Sequence, residues 1–165
     1  MKYKNARCLQ CGSEMKQAGS VKRTLAGLSG VVIRGLPAFR CPECGETEVV
    51  IPQIQELHTL LAGKIIRKSR PLTGEEIRFL RKCLGWSGVD FAKHAGVAPE
   101  TVSRWENGRG NISGLADRFM RLAIAKFEPI ANYKVEDLDN ISVAAPKPMK
   151  LVARKIGRAW AVATS

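Results

Sequence analysis

Three observations predict an α+β fold in two parts, a small β-rich domain followed by an all-α domain of five helices. The first is a pair of Cys-x-x-Cys units, Cys8/Cys11 and Cys41/Cys44, in a glycine-containing N-terminal third. The second is a series of short apolar periodicities of helical spacing between residues 73 and 127, each with its own start signal, followed by a last short helix at 135–138. The third is Gly96, set between two of those periodicities, where a tight turn can join two helices. The expected divisions are 1–68 for the first domain with a connecting helix, 69–140 for the helical domain, and 141–165 for a basic tail.

Size and composition bound the answer. A chain of 165 residues, 45% apolar and 25% charged, suits one ordinary globular domain or two small ones. No apolar run approaches the ~20 residues of a membrane span, and the N-terminus lacks a signal-peptide core, so a cytoplasmic protein with no membrane partner is expected. The net charge of +12 favours a polyanionic partner. Residues 1–65, 66–130 and 131–165 carry +4, +5 and +3, so read along the chain the charge is spread and locates no site.

Two thiolates spaced by two residues on a tight turn can share one tetrahedral metal, and two such turns complete a four-sulfur shell. Each pair is followed by a glycine, Gly12 and Gly45, which lets the turn's N–H groups approach sulfur. Cys8, Cys11, Cys41 and Cys44 are therefore assigned to one structural zinc ion, whose closed shell leaves no position for substrate. Paired disulfides are disfavoured in a cytosolic chain, and a thioredoxin-like redox site would need a βαβ setting. The 29 residues between the pairs should form strands and turns, with Val31, Val32 and Ile33 and the run 47–51 as β-rich stretches. No phosphate loop or catalytic constellation appears, so no catalytic residue is assigned and no enzyme is expected.

Pro52 opens a helix over 53–67, whose stripe is Ile54, Leu57, Leu61 and Ile65. His58 beside it reads as a packing or surface residue. Arg67, Lys68, Ser69, Arg70 and Pro71 form a polar break, read as a solvated linker or as an arm for backbone phosphate. Thr73 and Glu76 make a capping box for a helix with core positions Ile77, Leu80 and Leu84, on which Cys83 reads as a buried structural thiol. Ser87 and Asp90 cap the next helix, with Val89, Phe91, Ala92 and Ala95 on its apolar side. Pro99 suits the first turn of another, in which Val102 and Trp105 face inward. Ser113 caps a helix over 113–127 with two apolar stripes, Leu115/Phe119/Leu122 and Met120/Ala123/Phe127. One closes the core; the other is covered by the tail or by a two-fold partner. Residues 135–138 form a last short helix. The tail from 146 onward reads equally as an extra strand, a DNA-binding arm or a partner-binding segment.

The unit from Trp86 to Gly108 resembles the Xre/Cro-type helix-turn-helix family. Phe91-Ala92 match its buried pair, Gly96-Val97 its turn, and Val102-Ser103-Arg104-Trp105-Glu106-Asn107-Gly108 the end of its recognition helix. Two positions depart from it, since Gly88 replaces a phosphate-contacting Gln and Ala98 replaces a capping residue. The resemblance implies a double-stranded DNA interface built from Ser87, Pro99, Glu100, Thr101, Ser103, Arg104, Asn107 and Arg109. It places base readers at Arg104 and Glu100, with Ser103, Asn107 and Arg109 suited to phosphates.

The order of parts over residues 6–127, two Cys-x-x-Cys knuckles about 30 residues apart and then an Xre-type domain, is similar to the MqsA/YgiT antitoxin family. That resemblance implies a repressor of its own operon, dimeric through the C-terminal domain and bound to a palindromic operator. It also implies a zinc domain that binds an mRNA-cleaving toxin. The alternatives are a stand-alone Xre-family regulator with a structural zinc domain, or a thiol oxidoreductase using the Cys-x-x-Cys pairs.

Overall fold

A computed structural model describes residues 6–127, 133–157 and 159–165. Pro129, where the family resemblance stops, the extreme N-terminus 1–5 and Arg158 of the basic tail lie outside these residues. The chain runs β1 (Lys16–Thr24), β2 (Val31–Arg40), β3 (Thr47–Val49) and α1 (Ile54–Ile65). It continues through α2 (Gly74–Cys83), α3 (Gly88–Ala95), α4 (Pro99–Glu106) and α5 (Gly114–Phe127). A 3₁₀ turn (Val135–Asn140) then leads to β4 (Leu151–Ile156) and β5 (Ala159–Thr164). The fold is α+β, with a β-sheet region followed by a helical region. Among the described residues no helix is long and apolar enough to cross a membrane.

The β-rich stretches around Val31 and 47–51 are strands, and the glycine-containing segment before them supplies β1. β1 and β3 both pair antiparallel with β2. The tail takes the strand reading: β4 pairs parallel with β2, Val31 opposite Leu151 through Arg34 opposite Arg154, and β5 folds back antiparallel on β4. A parallel pair needs a long crossover, and here that crossover contains every helix among the described residues.

One face of this sheet is apolar because Val31, Ile33, Leu151 and Ala153 alternate inward. α1 covers it with Leu57, Leu61 and Ile65, three of its four predicted stripe positions, all buried; Ile54 at the N-terminal end is half-buried. Trp160 clamps β5 to the same helix. Its ring N–H donates to the Pro52 carbonyl at 2.9 Å, and its backbone N–H donates to Glu56 Oε1 at 3.2 Å. The core is continuous from the sheet through α1 into the helical region, where Ile77, Leu80, Phe91, Val102, Trp105 and Met120 join it.

α5 corrects the expected stripes. Ala116, Met120 and Ile124 point inward, whereas Leu115 is 78% exposed, Leu122 is exposed and Phe119 is half-buried against Trp86 and Phe91. Phe127, placed with Met120 in the sequence reading, is exposed at the helix end. The physical reason is that Asp117 and Arg121 also face inward. They are buried as an ion pair that binds the backbone of the segment before α2.

That segment, read as a polar break, is held on three sides. Arg121 takes the carbonyls of Ile66, Lys68 and Arg70. Lys68 is buried against Glu76, and burial pushes its ammonium down from the ordinary value while Glu76 opposes the shift. Glu76, besides capping α2 through the Thr73 N–H, accepts from the Met149 N–H at 3.0 Å. The incoming strap 141–150 is thereby sewn to the same place, with the Ser142 N–H donating to the Ser69 carbonyl at 2.6 Å.

Candidate metal centre and nucleic-acid interface

Each cysteine pair sits on the same kind of turn. The Gly12 N–H bonds back to the Cys8 carbonyl at 2.8 Å, and the Gly45 N–H to the Cys41 carbonyl at 3.1 Å. Gly12 and Gly45 have φ of 74° and 76°, a region that side chains rarely enter. The β2–β3 hairpin holds the second turn, and the pairing of β1 with β2, Lys16 opposite Arg40, brings it against the first. The Leu9 N–H, in the first turn, donates to Glu48 Oε1 at 2.8 Å across that junction. Met15 and Phe39 form a small apolar floor with the buried Cys8 and Cys41.

The four Sγ atoms lie within 4.8 Å of one another, with Cys8–Cys44 at 3.5 Å, Cys11–Cys41 at 3.4 Å and Cys11–Cys44 at 3.6 Å. A tetrahedron with metal–sulfur bonds of ~2.3 Å has edges of about 3.8 Å, so this cluster is sized to hold a metal ion. Its protons are unevenly held. The Ser13 side chain and backbone lower the Cys11 thiol to about 6. At Cys44 the backbone at Glu46 lowers the thiol, but the neighbouring sulfurs, Cys8 first, together with burial push it up to about 12. Four adjacent thiolates repel one another unless a cation sits between them, which is the chemistry that a bound metal supplies.

The helix-turn-helix is assembled from local signals. Ser87 and Asp90 form both halves of a capping box at α3, with bonds of 3.1 and 2.8 Å. Gly96 ends α3 in the left-handed region at φ 66°. Pro99 stands in the first turn of α4, and Ala98 provides no side-chain cap. Phe91, Ala92, Val102 and Trp105 are buried between the two helices.

On the outer side of α4, Glu100, Ser103 and Arg104 are exposed and Thr101 is half-buried. Pro99 and Ser87 are exposed at the two helix starts, Ser87 with its side chain engaged in its cap. Among the described residues Arg104 has no ion pair, and the Glu100 partner allowed by the i, i+4 spacing is not engaged. Asn107 differs from a free phosphate ligand. Its amide donates to the Ser103 carbonyl at 2.8 Å, and its Oδ1 accepts from Arg78 at 2.9 Å. Arg109 is exposed in the loop after α4, with its backbone N–H on the Arg104 carbonyl at 2.9 Å.

Sequence reading did not assign Glu106. Its carboxylate accepts from Arg81 at 2.6 and 3.0 Å and from Arg78 at 3.1 Å, tying the end of α4 to α2. Burial alone would raise its pKa; the two guanidiniums, Arg81 first, bring it below the usual carboxylate range. The available signal was two Arg residues spaced i, i+3 on α2 and a lone acid at the end of α4, which spacing alone could not pair.

Residues 77–115, from within α2 into the start of α5, match a family model described as a helix-turn-helix. This segment defines the class of the protein, a DNA-binding regulator. The matched unit is of the Xre type. No curated protein and no solved structure matches the chain.

Proposed function

We propose that the protein is a sequence-specific transcriptional repressor that binds a palindromic operator as a homodimer, with one structural zinc ion in its N-terminal region. The observation that carries this reading is the exposed Arg104 on α4, without an ion pair among the described residues, within the matched segment. A planar guanidinium there suits the O6 and N7 edge of guanine, while Ser103 and Arg109 beside it suit phosphates. Zinc is favoured over other metals by the four-sulfur donor set, and it would hold the two turns together without opening a site for substrate. No catalytic step is assigned to the thiols. Leu115 and Leu122, exposed seven residues apart on α5, support dimerisation through the helical region.

The order of parts over residues 6–127 supports the finer reading, in which the repressor is the antitoxin of a type II pair. It would control its own operon, and its N-terminal region would neutralise an mRNA-cleaving toxin. A second reading, a stand-alone regulator, is favoured by β4 and β5, which lie beyond that resemblance yet complete the sheet.

Footprinting of the full chain on DNA upstream of its own gene tests the first level. A palindrome with half-sites about 34 Å apart is expected, and uniform protection of unrelated DNA would overturn it. Co-expression with the product of the adjacent gene tests the second. Relief of that product's toxicity supports the antitoxin, and a harmless neighbour supports the stand-alone regulator.

A further inference from the structure

The net charge, spread when read along the chain, is concentrated by the fold. Residues 15–42 and 140–165 contain ten of the 27 Lys and Arg and none of the 15 Asp and Glu. The rest of the chain holds 17 against 15, so ten of the twelve net positive charges reside in these two segments. They are the segments that form β1, β2, β4 and β5, neighbours in one sheet.

The register shows where part of this charge points. Val31, Ile33, Leu151 and Ala153 face the core, so by alternation Val32, Arg34, Lys150, Val152 and Arg154 face solvent. Arg34 lies directly opposite Arg154, and both are exposed. Ala161 and Ala163 on β5, opposite Arg154 and Val152, extend the face with small exposed side chains. Among the described residues neither the Arg34 nor the Arg154 side chain has an acidic or hydrogen-bonding partner. Like charges set side by side across a strand pair oppose folding, and a polyanionic ligand removes that opposition.

The face also indicates which polyanion. Single-stranded nucleic acid is held on sheets by exposed aromatic rings that stack on bases. The aromatic residues of these strands, Phe39 and Trp160, are buried, and around Arg34 and Arg154 the solvent face presents Arg, Lys, Val, Ala and Thr. Such a surface matches the phosphate backbone of a duplex. The sheet is also fastened to α2, since the Ser29 N–H and hydroxyl in the β1–β2 turn both donate to Glu75 Oε2 at 2.8 Å, and α2 is tied in turn to α4 through Glu106.

We propose that the solvent face of the sheet, centred on Arg34, Lys150 and Arg154, is a second duplex-DNA surface that grips phosphates without reading sequence. It rests on the reading of the protein as a DNA binder, but not on which bases α4 reads.

The test is a salt titration of the full chain on a random-sequence duplex of about 40 bp. Arg34→Gln/Lys150→Gln/Arg154→Gln should lower the slope of log K against log salt by about 2–3, about 0.9 for each phosphate no longer neutralised. Arg34→Lys/Arg154→Lys, which keeps the charge, should keep the wild-type slope. A wild-type slope in the triple variant overturns the proposal. So does a triple variant that loses a single-stranded RNA and keeps the duplex, which assigns the face to RNA. Arg104→Ala on DNA upstream of the gene separates the two sites. If α4 does not read DNA, that variant binds as wild type while the triple variant still loses slope. If only the sheet proposal fails, Arg104→Ala loses operator preference and the triple variant is unchanged.

Discussion

Arg121 and Asp117, one turn apart on α5, form an ion pair 2.5 Å long in which both side chains are at most 2% exposed. Each then binds the segment that joins α1 to α2. Arg121 donates to the carbonyls of Ile66, Lys68 and Arg70 at 2.8, 2.6 and 2.8 Å, and Asp117 Oδ2 accepts the Leu72 N–H at 2.7 Å. α5 and the segment between α1 and α2 are held together at this point by directed hydrogen bonds as well as by the shared core. Removing the guanidinium leaves a buried carboxylate uncompensated and three carbonyls without their donor. Arg121→Ala should therefore cost about 3–5 kcal/mol in urea unfolding, and trypsin should cut faster around Arg67 and Arg70. An unchanged midpoint would show that the clamp contributes nothing to stability.

Glu106 gives a pH prediction. Its folded pKa lies below the ordinary value because Arg81 and Arg78 outweigh its burial. A depressed carboxylate pKa contributes stability that is fully present above the unfolded value of ~4.3 and is lost as pH falls through the folded value. Glu106→Gln should cost about 2–3 kcal/mol at neutral pH and should flatten the loss of stability below pH ~4. Thermal melts of both proteins from neutral pH down to about pH 3 check this; parallel curves would remove Glu106 as the cause.

Removing one metal ligand tests the centre. Cys41 is buried on the floor shared with Met15 and Phe39, so Cys41→Ser should lose the metal and unfold the N-terminal turns. Metal analysis of untagged wild-type protein should give about one zinc per chain, with all four N-terminal thiols protected from alkylation. A variant that keeps both metal and protection would refute the four-ligand assignment.

Arg104 and Arg109 should separate sequence readout from charge. Arg104→Ala is expected to lose about 1–3 kcal/mol on operator DNA together with much of its preference over random DNA. Arg109→Ala should weaken both DNAs alike and lower the salt slope by about one. Equal loss on both DNAs for Arg104→Ala would make it a phosphate ligand.

The tail supplies the last prediction. Trp160 is buried on α1 with its ring N–H satisfied by the Pro52 carbonyl. Trp160→Ala should cost about 3–5 kcal/mol. Deleting residues 151–165 should expose the β2 edge and the apolar face of α1, giving a protein that aggregates. A truncated chain that melts like the full one would show that β4 and β5 are accessory.

The sequence by itself determined every feature whose physics is local. The four cysteines on two glycine turns, the capping boxes Thr73/Glu76 and Ser87/Asp90, the Gly96 turn and the α1 stripe all depend on residues within a few positions of one another. What only the tertiary structure decided depends on partners far away in the chain. Glu76 is a cap in sequence, but in the fold it also binds Lys68 and the Met149 N–H, 73 residues away. A charge is costly to bury, so nothing local turns Asp117 and Arg121 inward; they face the core because backbone groups 45 to 55 residues earlier meet them there. The tail became two strands because β2 offered an unpaired edge. That pairing also brought two acid-free segments together, so that charge spread along the chain becomes a basic sheet face, since a register brings Arg34 beside Arg154 across 120 residues of sequence.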